Sequence, residues 1–206
     1  MPFEPPVDIT VAVEGIVDEA VLIRVASHLG LRIGTIHGRR GKGALLQALS
    51  GYNNAARFAP WAVLIDLDRD CDCAPPCRER WLPAPTNKMV FRVAVRAIES
   101  WLLADRDRIA ALLGVRQELV PNDPDRLDDP KGALIGLARR SRRASLRRDL
   151  VPREGSGRRV GPLYPARLIE FAGDMAEGWR PEAAEKASES LARCMRALQD
   201  AFGARA

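Results

Sequence analysis

The sequence has little lysine, little histidine and no long apolar stretch, and each shortage narrows what the protein can be. No apolar run approaches the length of a membrane-spanning helix, so we expect no membrane partner. The N-terminus, MPFEPPVDIT, lacks the basic and apolar regions of a signal peptide, which favours a cytoplasmic location. Only four of the 32 basic residues are lysines. Because an arginine excess can reflect genome base composition, the positions of the arginines are more informative than their number.

Cysteine and histidine are too few to suggest a complete zinc site. Cys71, Cys73 and Cys77 form a C-x-C-x₃-C cluster, whereas Cys194 lies far along the chain in a predicted helix. Disulfide frameworks are uncommon in a cytoplasmic chain of this length, and structural zinc commonly takes two pairs of ligands. We expect reduced thiols in a loop, with a structural zinc at the cluster as the alternative.

The pattern of apolar residues predicts an α/β fold. With 206 residues, 47% of them hydrophobic, the chain can form one domain with an appendage or two small domains. Strands are predicted at 8–14, 31–36, 88–95 and in the stretch that begins at Trp61, with helices at 18–29, 44–56 and 97–103 between or after them. This alternation indicates a Rossmann-like parallel sheet of about four strands flanked by helices. The segment 71–85 is predicted to be irregular.

The character of the chain changes at Pro121, after which no strand is predicted. Helices are expected within 131–150 and at 164–175 and 181–202. Ala184, Ala187, Leu191, Met195 and Leu198 are the predicted core face of the last helix. We therefore predict an α/β domain at 1–120 and a basic C-terminal helical extension at 121–206, packed on that domain.

The stretch WAVLIDLDRD, residues 61–70, is the most informative part of the sequence. An unbroken apolar run leads into Asp66, Asp68 and Asp70, as in a buried parallel strand that ends at the ligand-binding edge of a sheet. If the strand continues, Asp66 and Asp68 point the same way and repel each other. A divalent cation such as Mg²⁺ or Mn²⁺ would remove this conflict, since both ions prefer oxygen ligands. The alternative is a strand followed by a solvated acidic turn.

Acidic residues follow two other predicted strands as well. Glu14, Asp18 and Glu19 come after the first strand, and Glu99 comes after the fourth. Each has an ordinary explanation, such as an acid in the first turn of a helix. Together with the aspartates of the third strand, they supply enough oxygen ligands for one or two ions of the kind that assist phosphoryl displacement.

These motifs resemble the Toprim domain, which topoisomerases, DnaG-type primases and overcoming-lysogenization-defect (OLD) nucleases share. The resemblance rests on VEGIVDE at 13–19, LIDLDRD at 64–70 and RVAVRAIESWLLAD at 92–105. It is strongest to small stand-alone bacterial Toprim-like proteins of unknown function. The chain has only two tyrosines, and neither lies in a recognisable topoisomerase motif. The resemblance therefore implies a Mg²⁺-dependent nuclease, and it further implies anti-phage defence with an ATPase partner.

The resemblance also assigns roles to individual residues. Glu14 resembles the Toprim glutamate that serves as a metal ligand or general acid/base, and Asp66 and Asp68 resemble the Mg²⁺-binding pair. These three are the predicted catalytic residues. Asp18 stands where OLD nucleases place an acid for a second metal, and Asp70 and Glu99 complete the predicted metal set. Val17 departs from the threonine that is frequent in OLD-type proteins.

The alternative function is a Toprim-fold module that binds nucleic acid or an ATPase without cutting.

Two basic segments are candidates for nucleic-acid contact. The glycine-rich loop 37–43 contains Arg39, Arg40 and Lys42, but Gly43 stands where a phosphate-binding P-loop has Ser or Thr, so we exclude a P-loop. The segment 139–148 is rich in arginine. We predict that its Arg139, Arg140, Arg142 and Arg143 bind a phosphate backbone, since an acidic metal centre repels phosphates. The alternative is a solvated basic face.

Overall fold

A four-stranded parallel sheet forms the centre of the computed structural model, which describes residues 8–203. Its strands are β1 (Asp8–Val13), β2 (Arg32–Gly38), β3 (Trp61–Asp66) and β4 (Met89–Ala94). The helices are α1 (Ile16–His28), α2 (Lys42–Ala55), α3 (Ala74–Trp81), α4 (Ile98–Ala104), α5 (Arg106–Leu113), α6 (Pro130–Arg139), α7 (Ala144–Leu150), α8 (Tyr164–Gly173), α9 (Pro181–Ala184) and α10 (Glu189–Phe202). Short 3₁₀ helices lie at Gln117–Leu119 and Pro124–Arg126.

The strand order β2-β1-β3-β4 puts β1 and β3 in the middle of the sheet. All pairings are parallel, and every residue of β3 is buried, as its unbroken apolar run predicts. Val13 pairs with Leu64, and Asp66 pairs with Ala94. Because the strands run in one direction, their carboxyl ends meet at one edge. The predicted α/β architecture with a C-terminal helical part is confirmed.

Each face of the sheet has its own apolar core. The larger core joins Val11, Val13 and Leu64 to helices on both sides of residue 120. The smaller core joins the alternate strand residues, such as Val63 and Ile65, to α2 and α3. This division follows from the two-residue period of side chains along a strand. None of the described helices combines the length and the apolar character that crossing a bilayer requires.

The C-terminal helices contribute side chains to the larger core instead of forming a core of their own. Trp179 is fully buried and donates its indole N–H to the Trp101 carbonyl at 2.9 Å. Trp101, in α4, donates in turn to the Ser190 hydroxyl at 2.7 Å. Arg180 forms an ion pair with the buried Asp105 at 2.7 Å. These contacts hold the segment after residue 121 against the α/β part.

The cysteine loop differs most from the sequence-based prediction. Cys71 and Cys77 form a disulfide, so the prediction of reduced thiols is wrong for both, and their sulfurs do not form a zinc cluster with Cys73. The physical reason is α3, a helix within the segment predicted to be irregular. Two prolines in its first turn start the helix at Ala74, and the helix brings Cys77 back towards Cys71. Cys73 is an exposed free thiol.

Two other elements differ from the prediction. Helix α5 was not predicted, and the last predicted helix is split into α9 and α10. Ser188 explains the split, because its hydroxyl accepts the Leu191 backbone N–H and starts a new helix. Four residues of the predicted core face, Ala184, Leu191, Met195 and Leu198, are buried, and Ala187 is partly buried against the same core.

Candidate functional site

Four carboxylate residues line one cavity at the carboxyl edge of the sheet. They are Glu14, Asp18, Asp66 and Glu99, and we call the cavity, of about 340 Å³, the carboxylate pocket. Lys131 and Tyr164, from the C-terminal helices, line it as well. The pocket therefore joins side chains from both halves of the chain.

The two strand-end acids are positioned by the backbone of their neighbours. Glu14 directly follows β1, and its Oε2 lies 3.5 Å from the backbone N of Asp66. Asp66 ends β3, and its Oδ1 accepts the backbone N–H of Ile98 at 2.9 Å. Ile98 is the first residue of α4, so Asp66 satisfies one of the free N–H groups at that helix start. One carboxylate thus links the end of β3 to the helix that carries Glu99.

Glu99 lies in the first turn of α4 and is 2% exposed. Its Oε1 accepts the Tyr164 hydroxyl at 3.0 Å and lies 3.5 Å from the Lys131 ammonium. The three apolar residues that follow it, Trp101 to Leu103, are fully buried. Burial of this run anchors α4 and holds Glu99 inside the molecule, where a carboxylate needs partners.

Two carboxylate oxygens in the pocket have no hydrogen-bond partner. They are Asp18 Oδ1 and Glu99 Oε2, and both are buried. Burial, together with the nearby Glu14 and Glu99, raises the pKa of Asp18 to about 7. Burial and the charges of Asp18, Glu99 and Glu14 raise the pKa of Asp66 well above its usual value. The carboxylates therefore compete for protons when nothing else balances their charge.

Lys131 is the positive group of the pocket. Burial lowers its pKa, but the charges of Glu99 and Asp66 outweigh that effect, and the net shift of the pKa is upward. The Tyr164 pKa is also raised, by burial and by Glu99, so its hydroxyl stays protonated and can donate. One ammonium group faces four carboxylates here, which leaves an excess of negative charge.

Asp68 and Asp70 have different surroundings from Asp66. The strand ends at Asp66, and Asp68 has a φ of 50°, so the two-residue period does not extend to it. The expectation that Asp66 and Asp68 point the same way therefore does not hold. Asp68 and Asp70 both form ion pairs with Lys42, at 2.7 Å for Asp70, and neither lines the carboxylate pocket. Lys42, predicted to bind nucleic acid, balances their charge instead.

The basic loop after β2 lies beside the end of β1. A side chain at Gly38, whose φ is 92°, would place its Cβ 2.1 Å from the Val13 carbonyl oxygen, so only glycine fits there. Arg39 forms an ion pair with Glu19, the remaining acid of the first cluster. Arg40 is exposed and lines a separate cavity with His37 and Tyr52. The loop is therefore adjacent to Glu14. Arg39 and Lys42 are paired with acids, whereas the exposed Arg40 forms no ion pair within the described residues.

The predicted arginine segment lies between α6 and α7. The side chains of Arg139, Arg140 and Arg142 are exposed and form no hydrogen bond or ion pair within residues 8–203. Arg143 is also exposed but donates to the Leu112 carbonyl at 3.1 Å. Three of the four predicted residues are thus free to contact a partner.

Sequence reasoning missed Lys131 and Tyr164. Lys131 lies in the first turn of α6, after the capping residue Asp129, and Tyr164 begins α8. Their only signal was rarity, since the chain has four lysines and two tyrosines. Neither lies in a motif, and both reach the pocket only because the C-terminal helices fold back onto the sheet.

The donor set of the pocket fits a hard divalent cation. All four acids supply oxygen, and the two unpartnered buried oxygens belong to this set. As the side chains are placed, no three acids within residues 8–203 are gathered closely enough to hold an ion. The fit is therefore one of chemistry and location, and binding would require these side chains to turn towards a common ion.

Comparison of the chain with protein-family models, curated proteins and solved structures gives no match. The Toprim resemblance accordingly stays a prediction that rests on the three motifs described above.

Proposed function

We propose that this protein is a Mg²⁺- or Mn²⁺-dependent enzyme that cleaves phosphodiester bonds in nucleic acid. The observation that carries the proposal is the carboxylate pocket, in which the buried Asp18, Asp66 and Glu99 and the half-buried Glu14 meet at the carboxyl edge of a parallel sheet. Such a concentration of buried acids is unfavourable unless protons or a cation balance the charge. A divalent ion would balance it at neutral pH.

The chain's own residues have distinct roles in this proposal. Glu14, Asp18, Asp66 and Glu99 would hold the ion, which supplies charge stabilisation for the phosphoryl oxygens when bound. Tyr164 holds Glu99 through its hydroxyl. Lys131 presents the positive group of the pocket and can attract a phosphate oxygen. The predicted ligands Asp68 and Asp70 would join this set only if Lys42 released them.

Arginines outside the pocket would hold the strand. Arg40 lies on the loop beside Glu14, and the exposed side chains of Arg139, Arg140 and Arg142 have no hydrogen-bond or ion-pair partner within the described residues. Contacts from such residues go to phosphates and carry no sequence information. We therefore propose a substrate that is recognised mainly through its backbone.

The deciding experiment is a cleavage assay with purified protein on single- and double-stranded DNA and RNA. Cleavage is expected with Mg²⁺ or Mn²⁺ and is expected to stop with a chelator. A second arm adds an ATPase encoded beside the gene, as the resemblance implies. Failure to cleave any of the four substrates in both arms would remove the enzymatic proposal.

A non-catalytic binding module is the second candidate. It is favoured by the ion pairs that Lys42 makes with Asp68 and Asp70. Asp68 belongs to the predicted metal-binding pair, and its carboxylate is occupied by Lys42 instead of being available to a metal ion. This candidate predicts nucleic-acid binding that is unchanged by a chelator and no cleavage under any condition. The same assay, run beside a binding measurement, separates the two functions.

A further inference from the structure

A second cavity lies at the free edge of the sheet, between β4 and α10. Its volume is about 490 Å³, and four arginines line it: Arg78, Arg92, Arg193 and Arg196. We call it the arginine groove. It shares no lining residue with the carboxylate pocket, so the two cavities are separate sites. Its volume falls in the range of cavities that hold small ligands.

Arg92 is the unusual member of the groove. It lies in β4 between Val90 and Ala94, which face the larger core, and the strand packs beside α10. Its Nε is buried and has no hydrogen-bond partner, and the guanidinium forms no ion pair within residues 8–203. Burial lowers the pKa of Arg92, and the positive charges of Arg78, Arg193 and Arg196 lower it further. An unpaired, partly buried guanidinium is unfavourable for folding.

The acids of the groove do not neutralise Arg92. Glu189 is engaged by Arg193 at 2.6 Å and lies 3.5 Å from Arg196. Asp125 accepts the Ser188 hydroxyl and the Ser190 backbone N–H, both at 2.9 Å. The two remaining acids, at positions 72 and 200, are exposed and form no ion pair in the described part of the chain. A negatively charged ligand would supply the missing partner.

We propose that the arginine groove binds the phosphate group of a phosphate monoester, with the partly buried Arg92 as the anchor. A guanidinium offers a planar set of donors that matches phosphate oxygens in pairs. Arg78 is exposed beside it and forms no ion pair within residues 8–203, so it can reach the same group. The monoester could be a free mononucleotide or the phosphorylated end of a strand. This site goes beyond the proposed function, because it needs neither the carboxylates nor a divalent ion.

The test is isothermal titration calorimetry of the full chain in the presence of EDTA, which keeps the carboxylate pocket free of divalent ions. Inorganic phosphate and adenosine 5′-monophosphate are expected to bind, and adenosine is not. Single strands with a 5′-phosphate or a 5′-hydroxyl distinguish the two sources. Tighter binding of the phosphorylated strand than of the mononucleotide identifies a strand end, and the reverse identifies a free nucleotide. Binding of adenosine as tight as that of its monophosphate would overturn the proposal, as would no binding of any phosphate probe.

A substitution then assigns the site to Arg92. The variant Arg92→Met is expected to bind phosphate probes about 10- to 100-fold more weakly, the range for losing a charged hydrogen-bonding group. Its thermal midpoint without ligand should equal or exceed that of the wild type, because an unpaired, partly buried cation is removed. The control Arg57→Met loses the same charge at an exposed position outside the groove and should bind normally.

Equal weakening by Arg92→Met and Arg57→Met would show non-specific charge attraction and contradict the proposal. If Arg92→Met does not fold, the exposed Arg78→Met replaces it. That variant should also weaken phosphate binding, and unchanged binding would again contradict the proposal.

Discussion

Asp66 has a structural role and a proposed chemical role that one substitution can separate. Its Oδ1 accepts the Ile98 backbone N–H, and an asparagine keeps an oxygen that can do the same. We expect Asp66→Asn to fold as well as the wild type without metal, since it also removes an ionisable group that is buried among other acids. Its rate of Mg²⁺-dependent cleavage should fall by more than roughly 100-fold. Loss of a group that only hydrogen-bonds to a metal ligand typically costs about 10- to 100-fold. Circular dichroism and the cleavage assay measure the two effects.

Two further variants control this experiment. Asp66→Ala removes the helix-capping oxygen as well as the charge, so it should lower the free energy of unfolding by about 0.5–2 kcal/mol relative to the asparagine variant. Asp128→Asn removes an exposed acid outside the pocket and should leave cleavage intact. Full activity in Asp66→Asn would exclude Asp66 as a ligand.

Asp18 makes the stability of the metal-free protein depend on pH. Its pKa in the folded protein is about 7, against 3.8 for an ordinary aspartate, so the folded state binds more protons than the unfolded state between these values. Stability from this group is therefore highest below pH 3.8 and is lost as the pH rises through 7. We expect the wild type to lose more thermal stability than Asp18→Asn over this range in EDTA.

Mg²⁺ should reverse that loss. Because the ion binds ionised carboxylates, its stabilising effect is expected to increase as the pH rises, and Asp18→Asn should show a smaller increase. Thermal melts at a series of pH values, with and without Mg²⁺, measure both trends. Parallel curves for the wild type and Asp18→Asn would mean that Asp18 does not titrate as described.

At the scale of elements, the arginine segment between α6 and α7 offers a test of strand binding. Arg139, Arg140 and Arg142 are exposed, whereas Arg143 is bonded to the Leu112 carbonyl. Replacing only the first three by glutamine should therefore preserve the fold. If each contacts one phosphate, the slope of log affinity against log salt should fall by about 2 to 3. Fluorescence anisotropy over a range of salt concentrations measures the slope.

A control triple variant at Arg32, Arg57 and Arg126 removes three exposed arginines from other parts of the chain, two of which are paired with Asp8 and Asp123. It should change the slope little. If both triple variants flatten the slope equally, the segment is a solvated basic face and no specific phosphate contact is needed to explain binding.

The elements also show what the sequence could and could not predict. Glu14 and Asp66 were predictable because each follows an apolar strand, and parallel strands bring their ends to one edge. Glu99 was predictable from its position before a buried apolar trio. The direction of the Asp68 side chain was wrongly predicted because a strand period was extended into a turn. Lys131 reaches Glu99 through tertiary folding alone, which no local pattern in the sequence records.

At the scale of the whole molecule, the two halves share one core. Trp179, Leu191 and Leu198 from the second half are buried with strand residues of the first. We therefore expect residues 121–206, expressed alone, to show no cooperative thermal transition, because too little apolar surface would be buried without the sheet. Circular dichroism during heating measures this. A sharp transition from the fragment would support a separately folding second domain.

The position of Tyr164 and Lys131 in the carboxylate pocket also sets an order of events during protein synthesis. The four acids have all left the ribosome by the time residue 99 is exposed, but the hydroxyl that holds Glu99 belongs to residue 164. A growing chain therefore carries an unfinished pocket for as long as it takes to translate more than sixty further residues. If the pocket cleaves nucleic acid, the nascent chain lacks the complete site until residue 164 has left the ribosome.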